Sequence, residues 1–174
     1  MGRRSCRRPL LDGGGIVLIP ESTPDAPNVI AFPPLLFSGA LGLGLLAHWL
    51  HPLRPLPPVP ARILGALLLL GGAALAKWGE IALRRAGTNV NPRQPSTAVV
   101  DGGPYRFTRN PLYLGTTLMY LGVAFLVDAS APLVLLPPLL ALIQWGVIAR
   151  EERYLESKFG DDYRAYRARI RRWI

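Results

Sequence analysis

Two arginines and two glutamates have the types and the spacing for chemistry in this chain. The run Gly103-Pro104-Tyr105-Arg106-Phe107-Thr108-Arg109-Asn110-Pro111-Leu112-Tyr113-Leu114-Gly115 sets Arg106 and Arg109 at the opening of a long apolar segment. Beyond the end of that segment comes Arg150-Glu151-Glu152-Arg153-Tyr154-Leu155. Arginines beside a helix N-terminus favour an anion, because the dipole end and the unbonded N–H groups there carry the same sign. Carboxylates accept from amines and hydroxyls. Brought to one surface, the two groups suit a zwitterionic small molecule. Positive charge at a membrane surface is a second explanation for the arginines, and the residues alone leave both open. Charge placement does not explain why Gly102, Gly103 and Pro104 shape the approach, or why Tyr105 and Tyr113 bracket the helix start.

Periodicity separates the two glutamates. Trp145, Ile148, Glu152, Leu155 and Phe159 recur at three- and four-residue steps, which is one helix face. Glu152 therefore falls in an apolar seam, where a carboxylate is costly without a partner. Glu151 lies about 100° around the helix, toward the same cavity or toward the surface. A solvated face of Arg150, Arg153 and Glu156 accommodates Glu151 and fits Glu152 poorly. Lys77, Glu80 and Arg84 share another face; they pair with one another at an interface, or Glu80 lines a cavity. His48 and His51, beside Pro52, read as interfacial residues and not as ligands. The single cysteine, Cys6, allows no internal disulfide and no cysteine-based metal site.

The elements that position these groups are apolar helices. Half of the 174 residues are hydrophobic, and charge avoids residues 29–50 and 63–76 and enters 112–149 only at Asp128. A spanning helix needs about 20 mostly apolar residues. Residues 29–50 suffice, and 63–76 reach that length if the helix runs on to Leu83. Residues 112–127 and 131–149 are divided by Asp128-Ala129-Ser130, which reads as a tight turn. Four spans are expected, in an all-α integral membrane protein. Asn110 is expected to cap the third span and Ser130 the fourth, with Pro111 and Pro132 in first turns. The polar loop of residues 87–108 is too irregular to lie in lipid unless protein covers it. The segment 51–62, with five prolines, is expected to be extended and stiff. Gly160-Asp161 reads as a helix stop and a fresh start. Tyr163, Tyr166 and Ile170 would then line the apolar face of a C-terminal amphipathic helix lying on the surface, with Trp173 as an interface anchor.

Charge sets the orientation. Arg3, Arg4, Arg7 and Arg8 lie in the N-terminal tail, and Arg84, Arg85, Arg93, Arg106 and Arg109 between spans two and three. After span four come Arg150, Arg153, Lys158, Arg164, Arg167, Arg169, Arg171 and Arg172, against only Arg54 and Arg62 on the other side. Both termini and the motif-bearing loop are therefore expected in the cytoplasm. Much of the net charge of +9 then lies against an anionic leaflet, so nucleic acid is not needed to explain it. Residues 1–28 do not make a signal peptide and read as a basic tail, disordered or surface-lying. Residues 29–174 read as one membrane domain, with a site in 87–115 and 150–170. No internal repeat is evident.

The order Gly-Pro-Tyr-Arg, Asn-Pro-x-Tyr-x-Gly, Glu-Glu and Phe159-Gly160 with Tyr163 and Tyr166 resembles the isoprenylcysteine carboxyl methyltransferases and the related phospholipid N-methyltransferases. The likeness covers residues 87–174. It implies a multi-pass membrane enzyme, in bacteria of the inner membrane, that uses S-adenosylmethionine without a metal. It also implies that Tyr105, Arg106, Arg109, Asn110, Pro111, Tyr113 and Gly115 form one wall of the cofactor site, and Glu151 and Glu152 the other. The isoprenylcysteine enzymes typically carry Arg-His-Pro where this chain has Arg109-Asn110-Pro111, so the prenylcysteine substrate does not transfer with the cofactor. The acceptor would be a lipid or lipidated molecule presenting a carboxylate, amine or thiol, and no catalytic role is assigned. A membrane reductase using NADPH, and a non-catalytic membrane component, are the competing readings.

Overall fold

Proline opens the first three α-helices of this chain, and glycine follows the end of two. A computed structural model describes Pro27, residues 29–52 and residues 57–174. The expectations for the tail of residues 1–26, with Cys6, and for Arg54 lie outside the described residues. Helix α1 (Pro33–Leu50) and helix α2 (Pro58–Arg85) both start on proline, whose missing N–H is harmless in a first turn. Helix α2 thus begins inside the segment expected to be extended, because Pro58 and Pro60 fit its first turn. It ends at Arg85, and Gly87 beyond it takes φ +70°; Gly87 N–H donates to Arg84 O and Thr88 N–H to Leu83 O, each at 3.1 Å. Those two bonds satisfy terminal carbonyls that lipid-facing backbone could not leave open.

After an irregular loop and a 3-10 turn (Gly103–Arg106), α3 (Pro111–Leu126) returns along α2. Asp128, at φ +55°, makes the expected tight turn. Helix α4 (Ser130–Ile143) then runs through a π-helical turn (Gln144–Ile148) into α5 (Ala149–Phe159) and, past Gly160, α6 (Asp161–Arg169). The two expected caps do not form. Asn110 stands at the N-cap of α3, but its amide donates to Arg172 O at 2.9 Å. Ser130 is already helical, one residue past the N-cap Ala129. The π turn also corrects the seam. It adds a residue to the helical ladder, so Trp145 swings outward to 68% exposure while Ile148 and Glu152 stay buried.

Helices α1, α2 and the continuous rod Ser130–Phe159 are each long and apolar enough to cross a membrane. Helix α3, with 16 residues, is shorter than the usual span of about 20. Leu35, Leu43, Leu67, Leu70 and Val134 point outward, exposed as a lipid-facing surface requires. The chain is an all-helical integral membrane protein.

Close backbone contact holds α2 to α3. A Cβ on Gly72 would lie 2.6 Å from Gly115 O, and one on Gly115 would lie 2.7 Å from Gly72 O. Gly65 and Gly122 are equally tight at the far end, each with a Cβ position 2.6 Å from the partner helix's backbone nitrogen. Gly65 and Gly72 of α2 meet Gly122 and Gly115 of α3, a spacing of seven that lets two helices approach closely, and Gly79 packs on Pro111 and Leu112. Helix α1 packs on α4 where Gly44 meets Pro132. Phe37, Tyr120, Leu139, Ile143, Val147 and Ile148 fill the core, and the Tyr120 hydroxyl donates to Pro132 O at 2.9 Å. On α2, Glu80 accepts from Lys77 at 3.0 Å and from Arg84 at 2.7 Å, the interfacial pairing, and does not line the cavity described below.

Both ends of the described chain dock on the π turn. Ile30 N–H donates to Gly146 O at 3.2 Å, and Trp173 Nε1–H donates to Gln144 Oε1 at 2.9 Å. Trp173 is therefore tied to protein through its indole N–H. Helix α6 likewise turns Tyr163 and Tyr166, 2% and 4% exposed, into the molecule and not toward lipid.

Candidate functional site

The end of the bundle where α2 stops, α3 starts and α5 meets α6 encloses a cavity of about 300 Å³. Phe32, Pro34 and Phe37 from the start of α1 form one side, and Leu112, Tyr113 and Thr116 of α3 another. Helix α5 contributes Glu151, Glu152 and Leu155, and Tyr163 and Tyr166 project from α6. The polar loop closes the remaining side with Thr88 to Pro92 and Ala98 to Val100. That loop is held by its own bonds. Thr97 N–H donates to Thr88 Oγ1 at 3.0 Å, Asn89 Nδ2–H to Pro95 O at 2.8 Å, and Ser96 N–H to the Tyr154 hydroxyl at 3.2 Å. Thr88 is buried on the cavity side, while Asn89, Arg93, Gln94, Pro95 and Thr97 are exposed.

The charged groups lie in two places on the cavity wall. At the first, Arg109 is buried, its side chain 10% exposed, with Nη1 3.2 Å from Glu152 Oε1. Among the described residues, neither Nη1 nor Nε finds a hydrogen-bond acceptor in good geometry. Arg172 reaches the same carboxylate with two donors, Nε to Oε1 at 3.0 Å and Nη2 to Oε2. Glu152 thus has the partner that its seam position demanded, and has two. Two cations on one anion leave this part of the wall with a net positive charge. At the second place, Glu151 accepts from the Tyr113 hydroxyl at 2.8 Å, and no cation pairs with it among the described residues. Glu151 faces the cavity and not a solvated helix face.

Burial raises the tyrosine hydroxyls above the ordinary phenol range. Tyr163 is pushed up to about 12, first by burial and then by Glu152, with Arg109 pulling the other way. Tyr105 and Tyr166 are raised for the same first reason, so the Tyr166 hydroxyl remains a donor, to Tyr105 O at 2.9 Å.

Of the residues singled out in the sequence, Tyr105, Arg109, Asn110, Tyr113, Glu151 and Glu152 line this cavity. Three do not. Arg106 is exposed and lies over the Phe107 ring at 5.2 Å. Pro111 is buried at the α3 start against Gly79, and Gly115 serves the α2–α3 crossing. Sequence reasoning missed the start of α1 and the C-terminal strap of residues 170–173, where Arg172 lies. The first lies in a stretch read only as an apolar span, and Arg172 is one of many tail arginines.

The sequence profile of the phospholipid methyltransferase family matches residues 60–162. The chain belongs to the phospholipid methyltransferase family. A Haemophilus influenzae protein described as uncharacterized is 43% identical over 63 residues, 36% of this chain and 79% of that one. No solved structure matches. The family match takes in Arg109, Tyr113, Glu151 and Glu152, whereas the α1 wall and Arg172 lie outside it. As a member of this family the chain is a membrane methyltransferase. Among the described residues no group of His, Cys, Asp or Glu side chains could hold a metal ion.

Proposed function

We propose that this membrane methyltransferase binds S-adenosylmethionine in the cavity and methylates a lipid-like acceptor. The observation that carries the reading is the division of charge on one wall. Arg109 makes only an ion contact with Glu152 and leaves two buried donors without a hydrogen-bond acceptor among the described residues, while Glu151 has a carboxylate with no cation among them. Unpaired polar groups buried together are costly, and a zwitterion of matching layout removes both costs. The methionine end of S-adenosylmethionine has that layout, so the residues fit the cofactor.

When bound, the cofactor supplies a methyl group on a sulfonium with a neutral leaving group. The protein's share is then positioning and exclusion of water. Arg109 holds the carboxylate, Glu151 and Tyr113 receive the amino group, and Phe37, Leu112 and Leu155 keep the reacting end dry. The acceptor comes from the lipid side, along the wall that α1 and α3 share. Both termini and the cavity face the cytoplasm of a bacterial inner membrane, in keeping with the arginines around this end of the bundle.

The test is calorimetric titration of detergent-purified protein with S-adenosylhomocysteine and, separately, NADPH. Binding of the first alone is expected. Arg109→Ala should weaken it by about 1.5–3 kcal/mol, the range for hydrogen bonds to charged groups. Arg171→Ala, which removes only a side chain beyond the cavity, should leave it unchanged. Equal losses would make the effect general surface electrostatics, NADPH binding would favour a reductase, and binding of neither would favour a non-catalytic component.

A further inference from the structure

The C-terminal strap is tied to the Arg109 segment residue by residue. Arg109 N–H donates to Arg171 O at 3.0 Å, and Arg172 O accepts from Thr108 Oγ1 at 3.1 Å and Asn110 Nδ2 at 2.9 Å. Trp173 fixes the strap's far end on Gln144. None of these bonds uses the Arg172 side chain. The strap is therefore docked without it, and the guanidinium is free for another task.

That task is set by competition for Glu152. A carboxylate takes a planar guanidinium two-pronged when it can. Glu152, with a side chain only 9% exposed, has Arg109 and Arg172 within reach, and the two-pronged place is taken by Arg172. Arg109 is left with a sidelong contact, and its Nε and Nη1 keep no acceptor. Without Arg172, the buried carboxylate would turn to its other cation, Arg109, and draw the guanidinium of this cavity-lining residue onto itself.

We propose that Arg172 is a positioning residue that occupies Glu152 and so keeps Arg109 available to an anionic group in the cavity. The proposal rests on the reading of the cavity as the site for the cofactor's carboxylate. It assigns a role to a residue outside the family match, and it makes Glu152 a holder of arginines and not a contact to the ligand.

The experiment compares Arg172→Ala, Arg172→Lys and the double variant Arg172→Ala/Glu152→Gln with the wild type. Two readouts are taken: the Kd for S-adenosylhomocysteine, and the Arg109 Nε–H resonance in side-chain nitrogen–proton spectra of ligand-free protein in micelles. Arg172→Ala should raise the Kd about tenfold or more, as loss of one charge-assisted hydrogen bond implies. The lysine, with charge but no fork, should fall between. The double variant should recover most of the affinity, because no carboxylate remains to capture Arg109. The resonance should shift in Arg172→Ala and return in the double variant. If the double variant binds as weakly as Arg172→Ala, or if the resonance does not move, Arg172 only fastens the strap and the proposal falls. A wild type that binds no S-adenosylhomocysteine would overturn the cofactor reading instead, and the ligand-free resonance would still decide for or against the role of Arg172.

Discussion

Glu151 and Glu152 are neighbours in sequence with opposite electrostatic situations, and a glutamine at each should show it. Glu152 neutralises part of the charge of two arginines, so Glu152→Gln strands them. Breaking a buried pair costs about 3–5 kcal/mol, and the lower end applies because the Arg172 side chain is 36% exposed. The ligand-free thermal midpoint should fall. Glu151 has a tyrosine and no cation, so Glu151→Gln removes an unpaired charge and should leave that midpoint unchanged or raise it. Its loss appears elsewhere: the stabilisation given by S-adenosylhomocysteine should shrink by about 1.5–3 kcal/mol. Thermal scans of both variants with and without the ligand separate the two patterns. If Glu151→Gln kept the full ligand increment, Glu151 would have no part in holding the amino group. The sequence told which glutamate would be buried, since Glu152 shares a face with Ile148 and Leu155. It could not tell that the partners would be arginines from two distant segments, because periodicity describes one helix and is silent about what packs on it.

At the scale of elements, the glycines of α2 and α3 decide how close the two helices lie. A methyl at Gly115 would meet Gly72 O at 2.7 Å, a backbone atom that cannot move aside. Gly115→Ala should therefore destabilise the protein by about 1–3 kcal/mol, the usual cost of overpacking. Gly42→Ala on α1, where nothing lies within 4 Å, should gain up to about 1 kcal/mol of helix propensity. Chemical or thermal unfolding in micelles measures both. The spacing of seven was present in the sequence, but it becomes meaningful only once α2 and α3 are known to be partners, and Gly115 looked equally suited to a ligand wall. Helix α6 was legible in its limits, through Gly160, and not in its direction, because two tyrosines suit a membrane interface as well as a cavity. Burial of Tyr163 gives that docking a pH limit. A phenol raised from 10.0 to about 12 contributes stability that is complete below pH 10 and lost as the pH climbs through 12. The thermal midpoint of the wild type should fall across that window more steeply than that of Tyr163→Phe, which has no proton to lose there.

For the whole molecule, the same arginines serve two ends. Arg109 lines the cavity and Arg172 pairs with Glu152 on its wall, while Arg85, Arg106 and Arg171 are exposed at the same end of the bundle. The apolar segments made the membrane legible, since lipid demands long uncharged helices whatever the sequence does elsewhere. The cavity was legible only on the sides where charge marks it; its apolar side on α1 looks like any other stretch of span. A topology in which the turn at Asp128 and the polar loop lie on opposite sides of the bilayer is required if Arg109 is to meet a cytoplasmic cofactor. Asp128 itself is a poor reporter, being buried at φ +55°, where a cysteine would be strained. Val127, 49% exposed, and Gln94, exposed on the loop, are better. With Cys6 replaced by Ser, Val127→Cys should react with a membrane-impermeant maleimide added to intact cells. Gln94→Cys should react only after the membrane is opened. Labelling of both in intact cells would put the cavity outside the cell, away from the supply of S-adenosylmethionine, and would leave the arginines without their topological role as well.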